Sequence, residues 1–252
     1  MRAEMGITWF DTIDSTNTEA KRRFQEIDKM AVFAARYQTA GRGQRGNTWS
    51  SEAGQNLTFS IALRLGEDGA GVLPAKEQFS ISVISALAVH RYLKTLGVSS
   101  MIKWPNDIYV RDRKICGMLI ENGLEGDMIS RSVIGIGLNL KQRNFPPELV
   151  NPTSVVLSGG EAPSPEVALQ DFMEIFNSLM PMLFTGDGRK KASEEYLGVL
   201  YRKETRHEYR NLLTGESFMG TIKGISAGGR LLVEMPDSHL KDFSFKEIGY
   251  II

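Results

Sequence analysis

A glycine-rich segment, residues 41–46 with the sequence GRGQRG, restricts the fold of this chain more than any other feature. It fits the G-x-G-x-x-G pattern of dinucleotide-binding folds, in which a strand enters the glycines and a helix leaves them. The apolar residues 31–37 predict such a strand, but turn-forming residues follow the glycines, and residues 57–65 then alternate like a second strand. The segment is therefore predicted to be a loop between two strands that presents Arg42 and Arg45.

The balance of charge limits the possible partners. Of 252 residues, 30 are basic and 30 are acidic, so no long-range field attracts nucleic acid or an anionic membrane, and any anion binding must be local. The one cysteine, Cys116, excludes an internal disulfide and lies in an apolar run that predicts a buried thiol. The chain shows no signal peptide and no apolar run of about 18 residues, so a cytoplasmic location is expected.

Helical spacing and capping residues predict four helical segments. The longest covers residues 76–98, with Gly97 in the position of a C-terminal cap. Another begins with Ser164 as cap and Pro165 in the first turn. The remaining two cover residues 15–27, entered through a Ser/Thr cap, and a stretch that ends near Tyr201.

Predicted strands outnumber the helices and pair with their neighbours. Besides the two that flank the glycine loop, strands are expected at 4–13, at 99–110 with a break at Pro105, and at 111–124 and 126–140 around a turn. This pattern favours an α+β fold with a mixed, largely antiparallel sheet and packed helices over a doubly wound parallel sheet. Short strands after residue 200 indicate a small antiparallel β-barrel, so the predicted domains are 1–199 and 200–252.

Four polar clusters lie in predicted loops or at strand ends, at residues 14–19, 38–49, 103–107 and 111–117. Each has an ordinary structural interpretation when it is considered alone. The first is typical of a helix cap, the second of a plain connection, the third of a turn, and the charged triplet around Lys114 of an exposed hairpin tip. No single cluster therefore establishes a functional site.

Together, the motifs GRGQRG, KWPND, KICGMLIE and IGIGLNL resemble those of the biotin protein ligases, in order and spacing, across residues 7–140. The resemblance implies a catalytic domain related to class II synthetases, followed by a small SH3-like β-barrel. Some members of the family carry a DNA-binding helix-turn-helix before the catalytic domain. This chain begins at the catalytic domain, so binding of DNA is not expected.

The resemblance implies a two-step acyl transfer. Biotin attacks the α-phosphorus of ATP to form biotinyl-5'-AMP, and a lysine of a biotin carboxyl carrier domain then takes the biotinyl group and releases AMP. Two anions must meet in the first step, and fixed cations and backbone N–H groups offset their repulsion. Arg42, Arg45, Lys103 and Lys114 supply those cations, and glycines let the backbone approach the phosphate.

The same resemblance assigns the site residues. It gives catalytic roles to four residues, Arg42, Lys103, Asp107 and Lys114. Biotin is expected to contact Ser15, Thr16, Asn17, Gln38, Gly41, Arg42, Lys114, Gly117 and Gly135. ATP is expected to contact Arg42, Gly43, Arg45, Trp49, Lys103, Asn106 and Asn139, with Trp49 as a flat surface for adenine.

Asp107 has two possible roles in this scheme. In the first role, it takes a proton from the attacking lysine or helps to position that lysine. In the second role, it lies with Asn106 near Mg²⁺, which binds through one or two carboxylates plus phosphate. The sequence does not choose between them. The histidines His90, His207 and His239 show no metal-ligand spacing and receive no role.

Two other functions compete with this interpretation. A lipoate ligase shares the fold and the lysine acceptor, but its ligand lacks the ureido ring that the polar set Ser15, Thr16 and Gln38 suits. A non-catalytic nucleic-acid binder would use the Arg/Gly loop and the barrel, but the balanced charge disfavours it. The chain also departs from the family at Gln44, where many members carry arginine, and weaker retention of the acyl phosphate is expected there.

Overall fold

A seven-stranded mixed sheet forms the centre of the protein in a computed structural model that describes residues 6–252 apart from the side chain of Arg45. In chain order its strands are β1 (Ile7–Ile13), β2 (Met30–Gln38), β3 (Leu57–Arg64), β4 (Met101–Lys103), β5 (Asp107–Val110), β6 (Arg113–Glu125) and β7 (Met128–Leu138). Their spatial order is β1-β2-β3-β7-β6-β5-β4. β1 and β2 are parallel and the other described pairs are antiparallel, which confirms the predicted mixed, largely antiparallel sheet.

Four α-helices cover the sheet: α1 (Thr16–Arg22), α2 (Phe79–Thr95), α3 (Pro165–Leu179) and α4 (Gly186–Gly198). α2 and α3 bury one face, where the Phe59 and Phe172 rings meet edge to face at 5.1 Å. α1 packs on the opposite face through a smaller cluster that includes Ala20 and Phe24. Gly97, at φ 75°, follows the end of α2, and the Ser164 side chain accepts a hydrogen bond from the backbone of α3, so both predicted caps are confirmed.

The glycine loop joins β2 to β3, two adjacent antiparallel strands. Gln44–Gly46 forms a short 3-10 turn, and the backbone N–H of Gly43 donates to the carbonyl of Asn47 at 2.7 Å. The backbone N–H of Trp49 donates to Gly41 at 2.9 Å and closes the loop on itself. No α-helix follows the glycines, which confirms that this segment is not a dinucleotide fingerprint.

The segment KWPND contains the tight turn that interrupts the predicted strand 99–110 at Pro105. The peptide bond between Trp104 and Pro105 is cis, and the chain reverses direction there. β4 and β5 therefore pair with each other in antiparallel fashion, with Lys103 directly opposite Asp107. The turn brings two charged residues of the motif to neighbouring positions.

The C-terminal part is a five-stranded antiparallel sheet of β8 (Arg206–Asn211), β9 (Ser217–Ile225), β10 (Leu231–Glu234), β11 (Leu240–Phe243) and β12 (Ile248–Tyr250). The order is β11-β10-β9-β8-β12, so the predicted short antiparallel strands are confirmed. Within the described residues the edge strands β11 and β12 do not pair with each other, and closure into a barrel stays a prediction.

The two sheets are closely connected. The backbone N–H of Ile102 donates to Val199, and that of Tyr201 donates to Ile102, both at 2.9 Å. The indole N–H of Trp104 donates to the carbonyl of Gly229, also at 2.9 Å. The proposed boundary near residue 200 thus falls within a hydrogen-bonded contact, and the division into two domains stays a prediction. Among the described residues, none of the helices combines the length and apolar character needed to cross a membrane.

Candidate active site

A cavity of about 450 Å³ lies over the seven-stranded sheet and reaches from β2 to β4. The polar clusters of the sequence meet there. Of the predicted site residues, the cavity is lined by Ser15, Thr16, Asn17, Gln38, Arg42, Gly43, Trp49, Lys103, Asn106, Asp107, Lys114, Gly117 and Gly135. The described lining does not include Gly41 or Asn139, and the side chain of Arg45 lies outside what the structure describes.

Neutral hydrogen-bonding groups form the end of the cavity near β2 and β3. The carbonyl oxygen of the Gln38 side chain accepts from the Thr16 backbone N–H at 2.8 Å and faces its hydroxyl at 3.2 Å. The Ser60 hydroxyl lies 2.8 Å from Thr16 Oγ1 and 2.5 Å from Asn17 Oδ1. Thr16, Asn17 and Ser60 are each at most 4% exposed, so this network is buried and preformed.

Ser15 marks the start of α1 but does not cap it. Its side chain makes no capping hydrogen bond, although its backbone has the extended conformation of a cap residue. The residue is buried and lines the cavity. The helix-cap interpretation of the DST segment therefore explains the position of Ser15 but leaves its hydroxyl unassigned.

Glu121 connects the neutral network to nearby cations. Its carboxylate accepts from Asn17 Nδ2 at 3.1 Å and from Lys21 Nζ at 2.5 Å, and lies 3.7 Å from the Arg42 guanidinium. Burial by itself raises the pKa of Glu121, but the hydrogen bonds from Lys21 and Asn17 and the nearby charges outweigh it and lower the pKa overall. Glu121 thus stays ionised and fixes the Asn17 amide.

Charged side chains form the opposite end of the cavity, at β4, β5 and β6. Lys114 Nζ lies 2.8 Å from a carboxylate oxygen of Asp107, and the two side chains are 33% and 24% exposed. Lys103 Nζ lies 4.4 Å from the centroid of the Tyr250 ring and 5.2 Å from that of Tyr109. This end therefore holds two ammonium groups close to one carboxylate.

Lys114 is not at a hairpin tip, so the ordinary interpretation of its charged triplet is wrong. It lies within β6, and its backbone N–H donates to Asn151 while its carbonyl accepts from Thr153, both at 2.9 Å. The turn itself is at Arg111 and Asp112. These hydrogen bonds to residues 151–153 on one edge of β6, with β5 paired on the other edge, fix the point from which the Lys114 side chain extends.

Three glycines keep the floor of the cavity open. A Cβ atom added at Gly135 would lie 2.1 Å from Asn17 Oδ1, and one at Gly137 would lie 2.2 Å from Trp49 Cε2. At Gly117 it would lie 3.0 Å from both Trp49 Cζ3 and Lys114 Cε. Trp49 thus lies flat on the sheet over two glycines, and its indole N–H is buried without a partner in the described part of the chain.

Comparison with known proteins identifies the family. Residues 9–139, just over half of the chain, match the sequence model of the biotin/lipoate A/B protein ligase family. The chain belongs to this family.

Named relatives agree with this assignment. The chain is 37% identical over 141 residues to the bifunctional ligase/repressor BirA of Escherichia coli (strain K12), a match that covers 55% of this chain and 42% of that protein. It is 34% identical over 163 residues to the biotin–[acetyl-CoA-carboxylase] ligase of Paracoccus denitrificans, covering 61% of this chain and 64% of that one. The chain thus spans less than two thirds of the length of either relative.

A solved structure extends the likeness of fold to the C-terminal sheet. The biotin protein ligase from Aquifex aeolicus in complex with biotin and ATP superimposes with a TM-score of 0.75 at 22% sequence identity. The superposition covers 97% of each chain. The predicted α+β fold is therefore confirmed along almost the whole chain.

The two asparagines expected to contact ATP are both hydrogen-bonded to backbone. Asn106 is buried and its amide donates to the carbonyl of Met118 at 2.7 Å. Asn139 donates to the carbonyl of Thr153 at 2.8 Å, while its Oδ1 atom is buried without a partner among the described residues. The Asn139 amide thus has its donor hydrogen-bonded and its acceptor buried without a partner among the described residues, and the residue does not line the cavity.

The cavity has few acidic groups, which suits a metal ion that is held mainly by the phosphates of a bound nucleotide. Asp107 is the one carboxylate among the described residues that line the cavity, and it is already paired with Lys114. The described part of the chain contains no cluster of three histidine, cysteine or acidic residues that would hold a metal ion. Mg²⁺ commonly binds through one or two carboxylates together with phosphates and water, so the site accommodates it only together with a phosphate ligand.

Several residues that line the cavity or support its lining were not predicted from the sequence. Ser60 and Glu121 complete the network around Asn17, and the second of these is the last residue of the motif KICGMLIE. Five others line the cavity from the C-terminal sheet or its loops, namely Leu212, Phe245, Ile248, Gly249 and Tyr250. No sequence motif distinguishes these five, because only the packing of the C-terminal strands brings them to the cavity.

Proposed function

We propose that this chain is an ATP-dependent biotin protein ligase, which forms biotinyl-5'-AMP and transfers the biotinyl group to a lysine of a carrier domain. The observation that carries the proposal is a single cavity with a neutral hydrogen-bonding end and a cationic end. Biotin has the matching asymmetry, since its ureido ring is neutral and polar while its carboxylate is charged. ATP adds further negative charge on the side of the carboxylate.

In the first step, an oxygen of the biotin carboxylate bonds to the α-phosphorus of ATP, and the bond to the bridging oxygen breaks to release pyrophosphate. Lys103, Lys114 and Arg42 surround the volume in which this exchange takes place. Their charges offset the repulsion between carboxylate and phosphate and stabilise the negative charge in the transition state. The Trp49 ring supports the adenine by stacking.

In the second step, the acceptor ammonium first loses one proton, and the neutral amine nitrogen then bonds to the acyl carbon. The bond from that carbon to the phosphate oxygen breaks, AMP leaves, and the nitrogen loses a second proton to give the amide. At pH 7 about one lysine in a thousand is neutral, which adds roughly 4 kcal/mol to the barrier. Asp107 lies at this end of the cavity and is paired with Lys114. In the first step, we assign to Asp107 the role of holding Lys114 in position. In the second step, we assign to it either the acceptance of a proton from the acceptor ammonium or the orientation of that ammonium.

Mg²⁺ supplies additional positive charge on the phosphates when it is bound. The nearby Asp107 carboxylate is the one lining group of this chain that would hold it directly. Because Lys114 occupies one of the carboxylate oxygens, we propose that the metal arrives with ATP and not before it.

The neutral end of the cavity favours biotin over lipoate. A ureido ring has donors and an acceptor that match the hydrogen-bonding groups around Thr16, Gln38 and Ser60. The dithiolane ring of lipoate offers no such groups, so it would gain none of the hydrogen bonds, worth about 0.5 to 1.5 kcal/mol each, that a ureido ring can make with the lining residues. We therefore propose lipoate as a weak substrate at most.

We propose that the acceptor is the carrier protein of a biotin-dependent carboxylase. The name of the Paracoccus denitrificans relative points to such a substrate. Because the reaction uses ATP, we place it in the cytoplasm.

Incubation with ATP, Mg²⁺, biotin and a biotin carboxyl carrier domain tests this function. We expect the mass of the carrier to rise by one biotinyl group, and the increase to vanish when the acceptor lysine is replaced. A parallel incubation with lipoate and a lipoyl domain distinguishes the two ligases. A carrier of unchanged mass with biotin, beside a modified lipoyl domain, would reassign the substrate, and no change in either would refute the ligase.

A further inference from the structure

The orientation of the Asn17 amide is fixed by two groups that can only accept hydrogen bonds. Its nitrogen Nδ2 donates to the Glu121 carboxylate at 3.1 Å and to the backbone carbonyl of Leu119 at 3.3 Å. Burial alone would raise the pKa of Glu121, but the hydrogen bonds from Lys21 and Asn17 lower it overall, so the carboxylate stays ionised. The NH2 group of Asn17 is therefore held on the side of β6.

The amide oxygen of Asn17 points the other way, toward the floor of the cavity. It lies directly over Gly135, which lines the cavity and where any side chain would collide with this oxygen. The Ser60 hydroxyl donates to the same oxygen at 2.5 Å. If the amide were reversed, its oxygen would face the Glu121 carboxylate, and two acceptors would meet without a proton between them. The charge on Glu121 thus selects an acceptor rather than a donor at this place.

Hydrogen-bond acceptors outnumber protons around Asn17. The Ser60 hydroxyl has one proton, and two oxygens lie within its reach, Asn17 Oδ1 and, at 2.8 Å, Thr16 Oγ1. The hydroxyl and the backbone N–H of Thr16 both donate to the side-chain oxygen of Gln38, at 3.2 and 2.8 Å. The single Ser60 proton cannot serve both oxygens fully, so this network has room for an N–H donor from a ligand.

We propose that Glu121 is a positioning residue that holds the Asn17 amide oxygen toward the cavity, where this oxygen accepts a hydrogen bond from a ring N–H of biotin. The inference rests on the proposed ligase function and deepens it, because it names the group of the substrate that is recognised there. Glu121 is not part of the described cavity lining, so it acts through Asn17. It thereby selects a ring that carries N–H donors without touching that ring.

Isothermal titration with biotin and its two cyclic carbamate analogues tests this orientation. Each analogue has oxygen in place of one ring N–H, so it keeps the shape of biotin and loses one donor. We expect the parent protein to bind at least one analogue about tenfold or more weakly than biotin, because its ring oxygen meets the Asn17 oxygen. This ratio of the two affinities is called the carbamate ratio.

Glu121→Gln relaxes the orientation at nearly constant shape. The new side chain can donate as well as accept, so the Asn17 amide can turn its NH2 group toward the ring oxygen of the analogue. We expect the carbamate ratio to shrink at least about threefold, and biotin itself to bind about threefold to tenfold more weakly. Glu195→Gln is the matched control, because Glu195 is a partly buried carboxylate paired with Arg91 at 2.6 Å outside the cavity lining, and it should leave the ratio unchanged.

An exchange of groups between positions 17 and 121 tests the contact itself. Asn17→Asp places two carboxylates against each other, and we expect biotin affinity to fall more than about 30-fold. Adding Glu121→Gln supplies a donor to the new carboxylate and leaves an oxygen toward the cavity, so about tenfold of the loss should be recovered. Losses that add in the double variant, or an equal carbamate ratio in the parent and in Glu121→Gln, would overturn the inference.

The parent protein provides the reference for both proposals. If the parent does not biotinylate a carrier domain, the proposed function fails before any variant is compared. If the parent is active and its carbamate ratio is the same in Glu121→Gln, the function stands and the role of Glu121 alone is refuted. Should neither variant fold, equal affinity of the parent for biotin and both analogues would refute that role as well, and weaker binding of an analogue would support it.

Discussion

The two ends of the cavity differ in the charge and burial of their side chains. At β2 and β3, neutral groups on Thr16, Asn17 and Ser60 are buried and hydrogen-bond to one another. At β4 to β6, the Lys114 and Asp107 side chains are charged and between a quarter and a third exposed. The sheet order places these ends on separate strands, so each is supported by a different part of the fold.

The difference follows from the cost of burying each kind of group. A neutral polar group can be fully buried when hydrogen bonds replace its water, which gives a rigid pocket. An ion loses several kcal/mol of solvation when it is buried before its partner arrives. Charged groups that await an anionic ligand are therefore kept partly in water and held by an ion pair or by aromatic rings. The neutral end is expected to select the substrate, and the charged end to catalyse.

Lys114→Ala tests the charged end with the largest expected effect. It removes a cation from the place where two anions meet, and we expect biotin-dependent release of pyrophosphate to fall about 100-fold to 1000-fold. Biotin affinity should change much less. Lys191→Ala, on the exposed side of α4, removes the same charge outside the cavity and serves as control. Near-normal pyrophosphate release from Lys114→Ala would refute the assignment of Lys114 to the reaction.

A pair of glycine substitutions on β7 tests the two ends of the cavity one at a time. In Gly135→Ala the new methyl group displaces Asn17, and in Gly137→Ala it displaces Trp49. Overpacking of this kind costs about 1 to 3 kcal/mol, so we expect the first variant to lose affinity for biotin and the second for ATP. Isothermal titration of each variant with each ligand measures this, and loss of the same ligand in both variants would show that the ends are not independent.

Ser60→Ala tests whether the neutral network is preformed. The Ser60 hydroxyl lies between Thr16 and Asn17, and its removal leaves buried polar atoms unpartnered at a cost of about 2 kcal/mol. Biotin binding should weaken more than tenfold, with no change in the affinity for ATP alone. Ser50→Ala, at an exposed position just after the glycine loop, is a suitable control. Unchanged biotin affinity in Ser60→Ala would place the ureido ring elsewhere.

Gln44→Arg has the smallest expected effect and tests how tightly the protein retains biotinyl-5'-AMP. Gln44 lines the cavity where many family members carry arginine, and a neutral contact in place of a charge-assisted one costs about 1 to 1.5 kcal/mol. The variant should release preformed biotinyl-5'-AMP about tenfold more slowly than the parent and modify fewer bystander lysines. Off-rates of the preformed intermediate decide this, since equal or faster release from the variant would contradict it.

Sequence reasoning predicted most of the elements because their signals are local. The alternation of residues 57–65 and the cap at Gly97 were enough to place β3 and the end of α2. The charged triplet that ends at Lys114 left a hairpin tip open as an alternative, because turn-forming residues next to a lysine look alike whether the lysine lies in the turn or in the strand that follows it. The backbone pairing of Lys114 with Asn151 and Thr153 cannot be read from neighbouring residues.

The sequence by itself determined the strand–loop–strand character of the glycine segment, the α+β class and the motifs that mark the family, since these depend on periodicity and residue type over short distances. The tertiary structure alone decided that Ser60 completes the neutral network, that Asp107 holds Lys114, and that Tyr250 lies against Lys103. Residues 103 and 250 meet only because the C-terminal sheet packs against β4 and β5. Such contacts arise from the packing of whole elements, and no local pattern in the chain encodes them.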